Sequence, residues 1–283
     1  MPDPATLKRA KADAFRALHV RGAAFLMPNA WDAGSARLLA SLDFPAIATT
    51  SAGYAFAVGK RDSMAALSRA EILDNAAAIV AATDLPVSAD LEGGFGPAPQ
   101  DCAETIRQAA GIGLVGGSIE DATGDPDDPI YPFEEAVARV AAAAEAARDL
   151  RFVLTARAEG HLYTDVTVAE TIRRLQAFAD AGADVLYAPG LPDLDAIRMV
   201  CAEVDKPVNI LMGLTGPRYS VAALAEAGAA RISVGGSFAR AAWGALRRAA
   251  LEVPDAGTFD YAADAMPGAE IEALMADPAG HTR

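Results

Sequence analysis

Three short segments carry residues suited to holding a cation and an oxyanion. Asp90-Leu-Glu92 sets two carboxylates two positions apart. In an extended chain that spacing turns both side chains to one face. Ser118-Ile-Glu-Asp121 adds Glu120, and Thr155-Ala-Arg157 adds a guanidinium. Three carboxylates gathered in a site shielded from water cannot all stay charged without compensation. A hard divalent cation is the natural remedy. An oxygen-only ligand set with room for water suits Mg²⁺ first and Mn²⁺ next. Zinc is disfavoured: the histidines are His19, His161 and His281, and neither Cys102 nor Cys201 joins the cluster. Arg157 then faces an anionic ligand as well as the acids. Taken singly, each acid reads as a solvated loop charge. Ending three consecutive strands together, they read as a site.

The elements that must position them follow a regular alternation. Apolar runs predict strands at 24–28, 45–50, 86–91, 115–120, 152–157, 185–188, 208–212 and 231–234. Helical spacing lies between them, near 32–43, 68–83, 101–112, 132–149, 166–182, 193–204, 219–228 and 237–251. Strands that alternate with helices pair in parallel. An open doubly wound sheet shares the alternation, but eight units favour a closed α/β (β/α)₈ TIM barrel. Extra helices near 5–20 and 259–276 flank it, and no linker or composition shift divides residues 1–283. Chemistry in such a barrel gathers at the C-terminal ends of the strands. Adjacent strands lie about 4.8 Å apart, so Asp90, Glu92, Glu120 and Arg157 converge on one mouth.

Composition excludes other classes. With 24 basic against 38 acidic residues, the net charge of −14 repels phosphate backbones, and no Lys/Arg cluster offsets it. Nucleic acid is not an expected partner. The longest apolar runs are too short to span a bilayer. The first residues are polar and lack a signal-peptide core. Two cysteines make no disulfide framework, so a cytoplasmic protein with reduced thiols is expected. Gly111-Ile-Gly-Leu-Val-Gly116 matches a dinucleotide fingerprint, but it follows a helix and enters a strand, the reverse of the required context. The glycines at 213, 216, 235 and 236 follow strands seven and eight, where turn formation is the simpler reading than phosphate binding. Lys8, Lys11, Lys60 and Lys206 all miss the strand ends that Schiff-base chemistry needs.

These segments resemble the phosphoenolpyruvate mutase/isocitrate lyase superfamily. Asp90-Leu-Glu-Gly-Gly-Phe-Gly96 is similar to its D-x-D-x-G-[YF]-G segment, Ser118-Ile-Glu-Asp121 to its I-E-D segment, and Ala156-Arg-Ala-Glu159 to its A-R-T-[DE] segment. Pro28-Asn-Ala-Trp-Asp-Ala-Gly-Ser-Ala-Arg37 resembles the family's opening strand and helix, and Gly59-Lys-Arg-Asp62 its G-x-x-D after strand two. The resemblance implies a Mg²⁺-dependent barrel acting on 2-oxo acids through an enolate-like species. It makes Asp90 the direct metal ligand, with Glu92 and Glu120 holding the metal largely through water. It makes Asp62 a support for the metal's water shell or for the reacting end, and Arg157 a binder of the substrate carboxylate and oxygen. The backbone N–H groups of Thr50, Ser51 and Ala52 are implied to bind the carboxylate.

Departures shape the expected reaction. The superfamily's isocitrate and methylisocitrate lyases carry K-[KR]-C-G-H after strand four. Here residues 122–131 hold no Cys, Lys or His, which argues against Cys-dependent cleavage. Glu92 stands where the family has Asp, and Tyr187-Ala-Pro-Gly190 lacks an acid or histidine that some members carry. The leading expectation is a lyase that breaks a carbon–carbon bond of a small 2-oxo or 2-hydroxy di- or tricarboxylic acid, such as an oxaloacetate decarboxylase. Alternatives are a phosphorus–carbon mutase or hydrolase of the phosphonopyruvate type, and a barrel that binds a 2-oxo acid with little catalysis. Residues 122–133, rich in Pro, Gly and Asp, suggest a lid. Family members are commonly tetramers, so a homo-oligomer, dimer or tetramer, is expected, with residues 259–276 exchanged between subunits.

Overall fold

Among the described residues, nine short strands form one all-parallel sheet: β1 (Phe25–Met27), β2 (Asn29–Ala30), β3 (Ile47–Thr49), β4 (Val87–Asp90), β5 (Gly116–Glu120), β6 (Val153–Arg157), β7 (Val185–Tyr187), β8 (Val208–Leu211) and β9 (Arg231–Ser233). The computed structural model describes residues 3–63, 66–214 and 216–276; His281 lies outside the described residues. The sheet order runs from β1 through β9 down to β2. β1 pairs with β9 and β2 with β3. The first stave therefore touches both ends of the sheet and nearly closes a barrel. Proline has no N–H to give a ladder, and Pro28 divides this stave in two. Its carbonyl still accepts the Ala48 N–H at 2.8 Å. All eight expected staves are present, and the split of the first is the one departure in their number.

Helices surround the barrel, and their starts are written in the sequence. Ser68 Oγ accepts the Glu71 N–H at 3.3 Å, while Glu71 Oε2 accepts the Ser68 N–H at 2.8 Å. This reciprocal cap begins the helix Arg69–Ala81. Asp32 and Ser35 cap Ala33–Ala40 in the same way. Pro99–Gly111 and Phe133–Arg148 pack through buried alanines, among them Ala103, Ala109, Ala143 and Ala144, whose small side chains let the helices approach closely. Two short helices were not expected, Ser51–Ala57 and Gly160–Tyr163. Each directly follows an inward-facing strand end and is too short to show a periodicity. The expected helix at 259–276 is instead a 3₁₀ turn, Asp260–Asp264, and a helix, Gly268–Met275. Pro267 stands between them and cannot continue a helix through its own missing N–H. Among the described residues no helix is long and apolar enough to cross a membrane.

The helix Pro4–Ala17 lies across the N-terminal end of the barrel. Fully buried Phe15 joins Ala12, Phe25, Met27, Ala46, Ala48, Val115, Val153 and Val185 in a separate apolar layer there. A side chain at Gly116 would bring its Cβ to 2.7 Å from the Phe15 ring. His19 follows this helix; its ring meets Phe15 and Phe25 edge-on, with centroids 4.8 and 5.1 Å away. Burial, and then the charge of Arg231, push the His19 pKa down to about 3. The unfolded chain takes up a proton near pH 6.5, whereas the folded chain does not. This contribution to stability is complete above pH 6.5 and is lost as pH falls from there toward 3. Between pH 7 and pH 5 the wild type is expected to lose about 2 kcal/mol more than His19→Gln does. Urea unfolding of both proteins at the two pH values checks this; equal losses would show that His19 titrates normally.

Candidate active site

The barrel encloses a chamber of about 240 Å³, open where the strands end. Its upper wall carries Asp62, Asp90, Glu92, Glu120, Arg157 and Glu159. Strand pairing sets this out: Asp90 ends β4, and Glu120 and Arg157 are paired at the ends of β5 and β6. Arg157 is the centre. Its Nη1 lies 3.0 Å from Asp90 Oδ1, its Nη2 3.0 Å from Glu120 Oε2, and its Nε 2.8 Å from Glu159 Oε1. The Tyr187 ring lies beneath it, 5.0 Å from centroid to guanidinium carbon.

Negative charge exceeds positive in this mouth. Burial opposes the charge on Arg157, but Glu120, Glu159 and Asp90 outweigh that effect and hold its pKa well above the usual value. Glu120 is driven well above the ordinary carboxylate range by burial; Arg157 opposes, and Glu159, Asp90 and Glu92 add to the rise. Asp62 at the rim is raised by desolvation and next by the charge of Asp90, against Arg157. Behind the cluster, Asp121 accepts the Glu159 N–H at 2.8 Å and pairs with Arg174 at 3.1 Å. Burial raises the Asp121 pKa to about 6, opposed by the Glu159 N–H and Arg174.

Asp90 and Glu92 reach the same chamber, though not by strand alternation. β4 ends at Asp90, and Glu92 has a left-handed backbone, φ 47°, followed by Gly94 at 84° and Phe95 at 60°. Such angles cost energy in residues with a side chain, so the turn needs support. Arg139 supplies it from the helix Phe133–Arg148. Almost wholly buried, it donates to the carbonyls of Gly93, Gly96 and Pro97. Its guanidinium sits 4.1 Å above the Tyr131 ring. At Gly94 a Cβ would meet Cys102 Sγ at 2.8 Å and Cys102 Cα at 3.1 Å.

In the segment after β3, two of the three N–H groups expected to bind a carboxylate are engaged within the chain. Thr50 N–H donates to Ala30 O at 3.1 Å and so belongs to the barrel ladder. Thr50 Oγ1 caps the helix Ser51–Ala57 by accepting the Gly53 N–H at 3.2 Å. Ser51 donates to Asp90 Oδ2 through its N–H at 3.3 Å and its hydroxyl at 2.8 Å. The Asp90 carboxylate thus takes contacts that were expected for a ligand, and Ala52 lines the chamber. Among the described residues, no three His, Cys, Asp or Glu side chains stand ready-made around one metal position. The donor set still fits a hard cation. Asp90, Glu92 and Glu120 offer only oxygens to one chamber, and the three acids that pair with Arg157 outnumber its one positive charge.

The other residues singled out by the sequence lie around this cluster. Lys60 pairs with Glu71 at 2.6 Å, away from the mouth. His161 is hydrogen-bonded to Thr171 at 3.0 Å. Of the late glycines, Gly235 and Gly236 line the chamber. The N–H groups of Val234 and Gly235 are taken by Asn29 Oδ1, at 3.1 and 2.9 Å, so they are not open to phosphate. Residues 122–131 fold onto themselves, with an antiparallel bridge between Ala122 and Ile130. Sequence reasoning missed Glu159, Tyr187, Asn209 and Arg231, which all line the chamber. A signal existed: Glu159 repeats the two-residue step beyond Arg157, Asn209 is the polar position in an otherwise apolar strand, and Arg231 is a charge at a strand start.

Comparison with known proteins agrees with this fold. The sequence profile of the phosphoenolpyruvate phosphomutase family matches residues 15–254. A crystal structure from Burkholderia cenocepacia J2315, described only provisionally as a lyase/mutase, is 54% identical, covers 96% of this chain and 98% of its own, and superposes with a TM-score of 0.93. Oxaloacetate decarboxylase of Pseudomonas entomophila is 27% identical over 203 residues, 70% of this chain and 69% of that one. Phosphonopyruvate hydrolase, solved with oxalate and Mg²⁺, is 25% identical over 93% of this chain and 94% of its own, with a TM-score of 0.83.

Proposed function

The chain belongs to the phosphoenolpyruvate phosphomutase family, and from that membership and the charge of its chamber we propose a Mg²⁺-dependent lyase. The bond broken is a carbon–carbon bond of a small 2-oxo or 2-hydroxy di- or tricarboxylic acid, as in decarboxylation of an oxaloacetate-like acid. The observation that carries this reading is the surplus of carboxylates around the single guanidinium of Arg157. Asp90, Glu92 and Glu120 would hold the cation. When bound, Mg²⁺ supplies fixed positive charge where negative charge builds up next to the breaking bond. Arg157 donates hydrogen bonds to Glu159 and Asp90 and pairs with Glu120 at 3.0 Å. Of its five donors, at least two remain to meet an oxyanion. Ser51 orients Asp90 by a double contact. Asp62, with its raised pKa, keeps its proton closer to neutrality than a free aspartate does, and it supports the reacting end.

The relation to phosphonopyruvate hydrolase favours a second reading, cleavage of a phosphorus–carbon bond in the same chamber. Product analysis separates the two. The purified protein is given oxaloacetate or phosphonopyruvate, each with Mg²⁺ or with EDTA. Pyruvate and CO₂ from oxaloacetate, dependent on Mg²⁺, are expected. Phosphate release from phosphonopyruvate instead selects the second reading. Equal rates in EDTA overturn the metal role, and no turnover of either acid leaves a barrel that only binds. The proposal extends to the assembly. The helix Ser237–Ala256 and the chain beyond it expose Phe238, Trp243, Leu246, Phe259 and Ile271, an apolar face suited to a homo-oligomer, dimer or tetramer, with residues 259–276 exchanged. Cys102 and Cys201 are free and buried, in keeping with a cytoplasmic location.

A further inference from the structure

The chamber continues below the carboxylates. Pairing carries one line of residues around its wall: Glu120 beside Arg157, Arg157 beside Tyr187, Tyr187 beside Asn209, and Asn209 beside Arg231. Arg231 is 3% exposed, and it lines the same chamber as the upper cluster. Its partners are neutral. Nε donates to Asn209 Oδ1 at 2.8 Å, and Nη2 to Thr155 Oγ1 at 3.0 Å. Nη1 lies 3.2 Å from His19 Nε2. His19 Nδ1 faces Phe15 O at 2.9 Å; the carbonyl can only accept, so Nε2 is the acceptor for Arg231. Two of the five Arg231 N–H bonds have no partner among the described residues. Among the described residues no carboxylate acts on it: burial lowers its pKa to about 9, and Tyr187 opposes. A neutral side chain could order Asn209 and Thr155 equally well. A buried full charge without a counter-ion is costly, and a visiting anion accounts for it.

We propose that Arg231, with Tyr187 and Asn209 beside it, is a second anion-binding position on the floor of the chamber. It receives the distal carboxylate of a dicarboxylic 2-oxo acid whose 2-oxo end meets Asp90, Glu92, Glu120 and Arg157. The assignment rests on the reading of the upper cluster as a metal and 2-oxo acid site. It narrows the substrate to acids with an anionic group at each end, held at different depths, and it makes a plain 2-oxo monoacid a poor ligand.

Calorimetric titration in Mg²⁺ tests this with three probes: oxalate, 2-oxoglutarate and 2-oxopentanoate. The wild type is expected to bind 2-oxoglutarate about tenfold or more tightly than 2-oxopentanoate, as a charge-assisted contact to a buried guanidinium predicts. Arg231→Gln is expected to erase that preference and to leave oxalate, which is too short to reach the floor, bound as in the wild type. Equal wild-type affinity for the two longer acids overturns the floor position, even where the variant fails to fold. So does an Arg231→Gln protein that keeps the preference, or one that loses oxalate and 2-oxoglutarate in parallel. Those outcomes leave the metal site standing. A wild type that binds oxalate no better with Mg²⁺ than with EDTA overturns the metal site, and the floor position with it.

Discussion

Arg157→Met is expected to unfold about 3–5 kcal/mol more easily than the wild type in EDTA at neutral pH. The guanidinium is the shared counter-charge of Asp90, Glu120 and Glu159. Glu120 and Glu159 are buried, so its removal leaves two carboxylates out of water and facing each other. The loss should shrink as pH falls, because Glu120, already raised, takes a proton and relieves the repulsion. Added Mg²⁺ should also restore part of the stability by supplying the missing charge. Denaturant titration with and without Mg²⁺, at pH 7.5 and 5.5, reads both effects. A variant as stable as the wild type under every condition would show that Arg157 is not what balances the acids. Weakened binding of the substrate carboxylate is expected alongside the instability.

Asp90→Ala is expected to keep the fold and lose about a thousandfold or more in kcat. Asp90 is the most exposed of the three acids on Arg157, with 20% of its side-chain area open. Removing it leaves Glu120 and Glu159 on the guanidinium. What disappears is the carboxylate that Ser51 and Arg157 jointly orient. Far-ultraviolet circular dichroism and thermal melting check the fold, and turnover of oxaloacetate in Mg²⁺ checks the chemistry. Full activity in this variant removes Asp90 from the site.

How far the chain can be read without its structure depends on the range of each interaction. β4, β5 and β6 are local apolar runs, and Asp90, Glu120 and Arg157 stand out because each closes one. The eight staves and their shared mouth follow from that pattern alone. Glu92 is different. Its backbone bends left-handed, and the arginine that holds the bend lies 47 positions later in the chain, at Arg139. No local rule connects the two. Ser51 shows the same limit: its orientation toward Asp90 depends on a helix of about two turns, too short to leave a periodic signature. Arg231 opens a strand and faces the interior, where a charge is not expected unless something answers it. The split of residues 259–276 was legible in Pro267.

The helix Pro4–Ala17 gives the chamber a stopper. Phe15 and the apolar layer around it pack across the end of the barrel below Arg231, so among the described residues the cavity is a well open at the strand ends. Traffic in such a well is ordered by depth. A molecule that reaches the bottom has to pass the ring of acids before anything settles in that ring. If the proposed cleavage runs there, the fragment nearest the opening is expected to depart first, and the fragment at the base to stay until the way above it is clear.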